Sequence, residues 1–322
     1  MIYDVIGDVH GCAAQLRQLL ERLGYTHLPQ KGDLHPPVPP AGDHDHLLLL
    51  LGDIIDRGPD QRETLELVRA LIAGGRAVCL MGNHEFNAVM EAMGLRHKRS
   101  PAHLPFLQAY PEGSADFYDA IEWMKGLPWW FEAPGIGAVH ACWNLKCFSA
   151  LIPHLDERRC ARSEQIFRLS ARGEELWDDA EIVLKGAEMK LPEGVRFFDK
   201  EGIERHEVRV RWWLDAPYDI AEAAINTGDL RMGGLKARPD PWPWGADSYR
   251  VPGEERRIYV GHYWLECQER PDAEVARFSE QIFCLDFSCV RGGKLCACQV
   301  ELDDDGRFIG QRFVTVPGLK SC

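Results

Sequence analysis

The chain has 322 residues, of which 45% are hydrophobic and 27% are charged. These proportions exclude a disordered or fibrous protein, and the length suffices for one large buried core or two small ones. The 37 basic and 50 acidic residues give a formal charge of −13, which disfavours general binding to nucleic acids or anionic membranes. We therefore expect neither stable nucleic-acid binding nor membrane association, and an anionic ligand would need local cations.

The cysteine pattern and the first residues indicate the compartment. Eleven cysteines form no repeating framework, and the chain begins without the basic and long apolar segments of a signal peptide. We expect a cytoplasmic protein with reduced thiols. Cys296 and Cys298 are two residues apart in an alternating segment, so their side chains should share one buried face of a strand.

Strands and helices alternate in the first part of the chain. Apolar runs predict three short strands, and apolar residues at helical spacing predict two helices between them. In chain order these elements cover residues 2–6 (strand), 13–23 (helix), 47–51 (strand), 62–73 (helix) and 77–81 (strand). Residues 27–45 are rich in Pro, Gly, Asp and His, which predicts a surface loop. The alternation is typical of an α/β sheet whose functional side chains gather at the carboxyl ends of the strands.

A polar, glycine-rich motif follows each of these three strands. The motifs are GDVHG at residues 7–11, GDIIDRG at 52–58 and GNHE at 82–85. Asp, Asn and His supply hard oxygen ligands and imidazole nitrogens, which suit Mn, Fe or Zn but match neither a thiolate zinc site nor an all-oxygen calcium loop. The sequence therefore predicts a catalytic metal site at this edge of the sheet.

In this order the three motifs resemble the signature of the calcineurin-like metallophosphoesterases. The similarity is closest to the phosphoprotein phosphatase branch, which includes bacterial diadenosine tetraphosphate hydrolases. Residues 285–289, followed by two glycines, also resemble a carboxyl-terminal motif of the diadenosine tetraphosphatase-like enzymes. The resemblance implies an α/β fold, a two-sheet sandwich flanked by helices with a helical insertion, in a single domain over residues 1–322.

The resemblance also implies a site with two divalent or trivalent transition-metal ions, Mn being expected first and Fe or Zn being alternatives. The implied ligands are Asp8, His10 and Asp53 for one ion, and Asp53, Asn83, His140 and His262 for the other. Asp53 would bridge, because two cations about 3.5 Å apart need a shared anionic oxygen. A hydroxide held between the metals would attack phosphorus in line with the leaving oxygen.

Further residues around these ligands would carry the chemistry. Arg57 follows Asp56 on one turn, and its planar guanidinium suits two phosphate oxygens better than a lysine would. By the same resemblance, His84 would act as the general acid that donates a proton to the leaving oxygen, with Asp56 orienting it. Asn83 would contact the phosphate as well as its metal.

The long segment before His262 contains candidates for a second cationic contact to the phosphate. Residues 209–213 alternate charge and bulk, which predicts a strand with Arg209 and Arg211 on one face. Arg211 is the favoured additional phosphate contact, although a solvated edge strand fits the pattern equally well. The surrounding residues 144–256 predict a cap or insertion, and leaving-group recognition should lie there.

The remaining elements are predicted from apolar periodicity. Strand 136–139 would deliver His140, and the aromatic residues 129–131 before it indicate core more strongly than a base-stacking platform. The other predicted elements are helix 86–93, a helix pair within 96–128, helix 163–178, a strand end at 259–261, and strands 281–287, 295–302 and 308–316. The last three strands should form a meander that completes the second sheet.

These residues predict a dinuclear metal-dependent phosphohydrolase. A bacterial-type serine/threonine phosphoprotein phosphatase-like enzyme is the first interpretation, and a symmetrical dinucleoside polyphosphate hydrolase is the alternative. The substrate would accordingly be a phosphorylated protein or a nucleotide. A nucleic-acid end phosphatase and a non-catalytic binding module are less favoured, because the acidic charge opposes the first and the intact motif set opposes the second.

Overall fold

The computed structural model describes residues 1–29, 37–40, 45–96, 99–161, 163–198, 204–215, 217–225, 242–251, 253–266 and 272–319. Its strands are β1 (Ile2–Ile6), β2 (His46–Leu50), β3 (Ala77–Cys79), β4 (Trp130–Ala133), β5 (Ile136–Val139), β6 (Glu188–Lys190), β7 (Phe197–Phe198), β8 (Glu204–Arg205), β9 (Glu207–Arg209), β10 (Arg257–Val260), β11 (Ile282–Cys284), β12 (Lys294–Leu302) and β13 (Phe308–Pro317). Its helices are α1 (Ala13–Leu23), α2 (Gln61–Ala73), α3 (Asn83–Ala92), α4 (Leu104–Ala109), α5 (Ala115–Lys125), α6 (Leu145–Leu151), α7 (Ser163–Ser170), α8 (Trp177–Lys185), α9 (Ile220–Ala223), α10 (Ala246–Tyr249) and α11 (Asp272–Ala276).

Two main sheets carry the fold. The first has the strand order β13-β12-β1-β2-β3, in which β1, β2 and β3 are parallel and the other two are antiparallel to their neighbours. The second has the order β11-β10-β5-β4, in which β5, β10 and β11 are parallel. The parallel strands of each sheet therefore end at a common edge, where the polar motifs follow them.

Alternate residues of the strands enter two different cores. Val5 of β1 belongs to an apolar cluster shared with Tyr259 and Phe283 of the second sheet. Its neighbour Ile6 belongs to a larger cluster that includes Leu16 of α1. One core thus lies between the sheets and another lies beneath the helices, which confirms the predicted α/β sandwich flanked by helices.

Several local predictions are confirmed. Helix α1 covers the predicted residues 13–23, and it ends at Gly24, whose φ of 97° places it in the left-handed region. Strand β5 covers the predicted residues 136–139. Cys296 and Cys298 are both buried in the core between the sheets, as the alternation of β12 predicted. None of the helices in the described ranges has the length and hydropathy needed to span a membrane.

The surface loop predicted over 27–45 lies largely outside the described residues, which omit 30–36 and 41–44. Its described part contacts the first helix-and-strand unit through the isolated bridge Thr26↔Val38, in which each residue accepts the backbone N–H of the other at 2.9 and 2.8 Å, and through the Asp45 carbonyl, which accepts the Ile2 N–H at 2.8 Å. The prediction of a loop is therefore tested only over residues 27–29, 37–40 and 45.

The predicted role of the last three strands is wrong in part. Only β11 joins the second sheet, whereas β12 and β13 complete the first. Strand β12 pairs antiparallel with β1 from Ile2↔Glu301 to Ile6↔Ala297. Its successive residues 295–298 are apolar and buried, so both faces of the strand are covered, as suits an interior position between β1 and β13.

The insertion between β5 and β10 also differs from the predicted pattern. It contains α6 to α10 and two short ribbons, β6-β9 and β7-β8. The single helix predicted over 163–178 is two helices, separated by a turn at Gly173 with a φ of 93°. The strand predicted over 209–213 is also wrong beyond its start, because β9 ends at Arg209 and a turn follows at 212–213.

Candidate active site

The structure brings all six predicted metal ligands to one edge of the two sheets. Each predicted ligand follows the end of a strand: Asp8 and His10 after β1, Asp53 after β2, Asn83 after β3 as the first residue of α3, His140 after β5 and His262 after β10. All six side chains are buried, their exposed fractions being 9% or less. Parallel pairing within each sheet accounts for this convergence of residues that are far apart in sequence.

Asp53 lies at the centre of the cluster. Its Oδ1 is 3.4 Å from His140 Nε2, and its Oδ2 is 3.7 Å from His10 Nε2. Two groups of possible ligand atoms, each within 4.8 Å, share this carboxylate: His10, Asp53 and His84, and Asp53, His140 and His262. Asp53 thus lies between the two groups, and its role as a bridging ligand stays a prediction.

The remaining predicted ligands adjoin these groups. Both Asp8 carboxylate oxygens accept the His262 backbone N–H, at 3.2 and 3.1 Å. The amide oxygen of Asn83 lies 3.1 Å from His140 Nε2. Asp8 and Asn83 therefore each contact a residue of the second group, His262 and His140 respectively, whereas Asp8 was predicted to share an ion with His10.

The histidines fit the coordination of metal ions. His10 Nδ1 donates to the Ile55 carbonyl and His140 Nδ1 to the Leu51 carbonyl, both at 2.8 Å, which leaves each Nε2 to face the cluster. Within the described residues, the buried Nε2 atoms of His10 and His262 have no hydrogen-bond partner. A buried imidazole nitrogen without a donor is the arrangement that a metal ion satisfies, with the opposite nitrogen fixing the tautomer. The residues present therefore fit a transition-metal site.

The electrostatics of the cluster favour cations. Burial, together with the charges of Asp286 and Asp53, raises the pKa of Asp8 well above its usual range. Burial alone would also raise the pKa of Asp53, but the charges of His140 and His84 hold it well below its usual value. Burial and the charge of His84 lower the pKa of His10 to about 3. Crowded carboxylates beside His10, whose low pKa keeps it neutral, are what bound cations would stabilise.

The ligand loops adopt backbone conformations that are unusual for side-chain-bearing residues. Positive φ angles occur at His10 (46°), Asp53 (50°), Asp56 (71°), Arg57 (66°) and His262 (69°). Such residues cost of order 1 kcal/mol or more each and persist only where the surroundings hold them. Backbone strain of this kind clusters at functional sites in proteins, which agrees with the role predicted for these loops.

Glu85, the last residue of the GNHE motif, holds one of these loops. Its buried carboxylate accepts the backbone N–H groups of Asp53 (2.8 Å), Ile54 (2.9 Å), Ile55 (3.1 Å) and Gly82 (3.1 Å). It therefore fixes the turn that presents Asp53 without itself facing the cluster. Glu85 was not assigned a role from the sequence, although its place in the GNHE motif was a signal.

The predicted proton donor and phosphate clamp lie beside the ligands. His84 Nδ1 is 2.5 Å from Asp56 Oδ2, and its Nε2 is 3.5 Å from the Arg57 guanidinium. Burial opposes the charged imidazole, but Asp53 and the hydrogen bond to Asp56 raise the pKa of His84 above its usual value. The Arg57 guanidinium also stacks on the Trp264 ring, 4.4 Å from its centroid. Trp264 was not predicted, because nothing in the local sequence distinguishes it from a core residue.

The charge of Arg209 acts on the predicted ligand His262. The side chain of Arg211 is exposed, whereas Arg209 is half-buried and pairs with Glu188 at 3.6 Å. Burial lowers the pKa of His262 well below its usual value, and the charge of Arg209 is the next largest cause. The two arginines do not share a strand face, because β9 ends between them.

A chain of hydrogen bonds joins the segment after β9 to the loop of His262. Trp212 Nε1 donates to the Tyr263 hydroxyl at 2.9 Å, and that hydroxyl donates to the Ala141 carbonyl at 3.0 Å. The segments after β9, β5 and β10 are thereby tied together next to the cluster. The aromatic residues before β5 take no part, since Trp129 and Trp130 are buried in the core as expected.

Comparison with known proteins identifies a matching family and several similar proteins. The family model described as calcineurin-like phosphoesterase matches residues 1–219. The symmetrical bis(5'-nucleosyl)-tetraphosphatase of Aeromonas hydrophila is 32% identical over 304 residues, covering 92% of this chain and 94% of the relative. The enzyme of the same name from Vibrio parahaemolyticus is 26% identical over 300 residues, covering 90% and 92%. A protein serine/threonine phosphatase structure from Saccharomyces cerevisiae is 13% identical, with a TM-score of 0.49, over 100% of this chain and 81% of that one.

Proposed function

The chain belongs to the calcineurin-like phosphoesterase family, and we propose that it hydrolyses dinucleoside polyphosphates with the help of two bound metal ions. It is a metal-dependent hydrolase of phosphoesters by family. The observation that carries the dinuclear proposal is the position of Asp53, whose one carboxylate is shared by two groups of buried ligand atoms. Such a shared anion is what two neighbouring cations require.

Six side chains would hold the metal ions: Asp8, His10, Asp53, Asn83, His140 and His262. When bound, the metal pair supplies Lewis acidity toward the phosphoryl group and lowers the pKa of the attacking water. Mixed carboxylate, amide and imidazole ligands suit Mn, Fe or Zn, and we propose Mn first. The protein's part is to fix these ligands through the strained loops and their backbone hydrogen bonds.

Two arginines would bind the phosphate. Arg57 stands next to His84 and is held in place by Trp264, so its planar guanidinium can contact two phosphate oxygens without losing much side-chain freedom. We assign the second contact to Arg209 because its charge acts on His262, whereas the side chain of Arg211 is exposed. Arg209→Gln should raise KM at least about tenfold, a loss typical of one charge-assisted hydrogen bond, while Arg211→Gln serves as the matched control. Equal effects of the two changes would refute this choice.

His84 would protonate the leaving oxygen. Its Nδ1 is engaged by Asp56, and its Nε2 lies within 3.9 Å of Asp53, so the ring presents Nε2 to the cluster. An Nε2–H directed there can donate to an oxygen that departs from phosphorus. Asp56 would hold the tautomer and stabilise the charged ring.

The substrate class rests on the relatives. Those named symmetrical bis(5'-nucleosyl)-tetraphosphatase align over at least 90% of this chain, a span that includes most of the insertion between β5 and β10. This similarity favours the second of the two sequence-based interpretations, the symmetrical dinucleoside polyphosphate hydrolase, over the first, the serine/threonine phosphatase. A phosphoprotein substrate stays the second candidate, because the buried pair of Asp56 and His84 matters most for an alcohol leaving group, which needs a proton.

A turnover screen of the metal-reconstituted protein separates these candidates. The substrates are diadenosine tetraphosphate, phosphoserine, phosphothreonine and phosphotyrosine peptides, and mononucleotides, with Asp53→Asn as the inactive control. We expect diadenosine tetraphosphate to give ADP alone, which identifies symmetrical cleavage. Turnover of phosphopeptides without turnover of the dinucleotide would refute the first proposal and support the second.

A further inference from the structure

His103 shares the carboxylate that orients the proton donor. Its Nδ1 is 2.7 Å from Asp56 Oδ1, while His84 Nδ1 is 2.5 Å from Asp56 Oδ2. The three side chains are buried, with exposed fractions of 2% for Asp56, 3% for His103 and 8% for His84. An ionised carboxylate only accepts hydrogen bonds, so both histidines must donate from Nδ1. The two oxygens of Asp56 are thus each held by a separate imidazole.

The segment that contains His103 also binds the backbone of the turn formed by Asp56 and Arg57. His103 ends a short 3-10 helix, Pro101–His103, that begins after Ser100. The Ala102 carbonyl accepts the Arg57 backbone N–H at 2.8 Å. Asp56 and Arg57 both have positive φ angles, of 71° and 66°, so this turn needs contacts that oppose its strain.

The ring of His103 is itself fixed by aromatic packing. It stacks on Phe106 with ring centroids 5.0 Å apart and an interplanar angle of 26°, and Phe106 stacks on Tyr110 at 5.1 Å. The His103 ring is buried and stacked, so it cannot move with the Asp56 carboxylate. Rotation of that carboxylate would therefore break their hydrogen bond. His103 therefore restricts Asp56 to one orientation, and Asp56 restricts His84.

We propose that His103 is a positioning residue of the active site, which fixes Asp56 and through it aims His84 at the leaving oxygen. This rests on the proposed role of His84 as general acid. Within the described part of the chain, His103 belongs to neither group of possible metal ligands, and its side chain contacts Asp56 and Phe106. A purely structural histidine would affect all substrates alike, whereas a positioning residue should matter most when the leaving group needs a proton.

The first test uses kinetics on two phosphomonoesters. His103→Leu removes the donor at similar size, His103→Asn can retain a donor near the position of Nδ1, and His154→Leu is the matched control. His154 also ends a proline-containing 3-10 helix, Ile152–His154, but lies outside the site. With phenyl phosphate, His103→Leu should lower kcat by about 10 to 100-fold, and with p-nitrophenyl phosphate by less than about threefold. KM and metal content should stay unchanged, and His103→Asn should restore most of kcat.

A double-mutant cycle shows whether His103 acts through His84. The double variant of His84→Asn with His103→Leu should be no slower than His84→Asn alone, since the second change removes an interaction that is already without effect. The proposal would be overturned if the loss of kcat in the double variant equalled the product of the two single losses. It would also be overturned if His103→Leu lowered kcat equally on both phosphomonoesters, and His103 would then be a structural residue. If the wild type hydrolysed no phosphate compound at all, the proposed function would fail instead.

A spectroscopic readout makes the test independent of turnover. In the Zn-reconstituted protein, the imidazole N–H proton of His84 should give a protected resonance, identified by its loss in His84→Asn. We expect this resonance to broaden or shift in His103→Leu and to stay unchanged in His154→Leu. An unchanged His84 resonance in folded His103→Leu would overturn the proposal regardless of any activity.

Discussion

The substitution Gly261→Ala should displace the Asp8 carboxylate from the position in which it is proposed to bind metal. A Cβ added at Gly261 would lie 2.1 Å from Asp8 Oδ1, whereas ordinary contact begins at 3.4 Å, so the oxygen must retreat by about 1.3 Å. Metal–oxygen distances tolerate deviations of only about 0.2 Å. The same carboxylate accepts the His262 N–H at 3.1 and 3.2 Å, so its movement also disturbs the neighbouring loop.

The measurement is a calorimetric metal titration of Gly261→Ala with elemental analysis of the loaded protein. We expect the affinity for one of the two ions to fall at least about 10 to 100-fold, the usual effect of displacing a ligand's support, and kcat/KM to fall with it. Gly310→Ala is the control, because a Cβ there meets nothing within 4 Å. Two tightly bound ions and wild-type activity in a folded Gly261→Ala protein would refute Asp8 as a ligand.

Three further outcomes follow from the charges at the site. Asp53→Asn should lose both ions in elemental analysis whereas Asp8→Asn should lose one, and equal losses would mean that the bridging residue is misassigned. His84→Asn should keep both ions yet lower kcat by about 10² to 10⁴-fold on phenyl phosphate and less on p-nitrophenyl phosphate, while loss of metal would make His84 a ligand. Burial lowers the pKa of His140, but the charge of Asp53 outweighs burial and raises this pKa above its usual value of 6.5. A metal ion that binds His140 must therefore displace the proton of the imidazole. The metal affinity should accordingly increase with pH through neutrality. Calorimetry in buffers with different heats of ionisation checks this, and pH-independent affinity near neutrality would contradict it; His10, with a pKa of about 3, adds no dependence there.

Local sequence predicted the parts of the site that depend on strand ends. An apolar run followed by a polar glycine-rich turn identifies both the strand and the loop after it, so the positions of Asp8, Asp53 and Asn83 follow from local pattern alone. His140 and His262 were predicted by the resemblance and by the strands that precede them. Their roles as ligands stay predictions, although the structure brings all of them together.

Residues that act across long sequence distances were harder to predict. His103 lies 47 residues from Asp56, in a proline-containing segment that has no motif of its own. Arg209 and Arg211 differ in their surroundings only because β9 ends between them, and strand ends are poorly marked by alternation alone. The sheet to which β12 belongs depends on which edge is available, and periodicity does not encode that choice.

The pairing of β1 with β12 has a consequence for the order of folding. The first strand of the sheet acquires its antiparallel neighbour only when residues 297–301 have been synthesised. Until then β1 exposes an unpaired backbone edge on that side, and the loop of His262, which completes the cluster of predicted ligands, has only just been synthesised. Such long-range closure is slow and leaves a nascent chain prone to edge-to-edge association. A ribosome-bound chain that stops before β12 should therefore be protease-sensitive and recruit chaperones, while release of the last strands should protect it in one cooperative step.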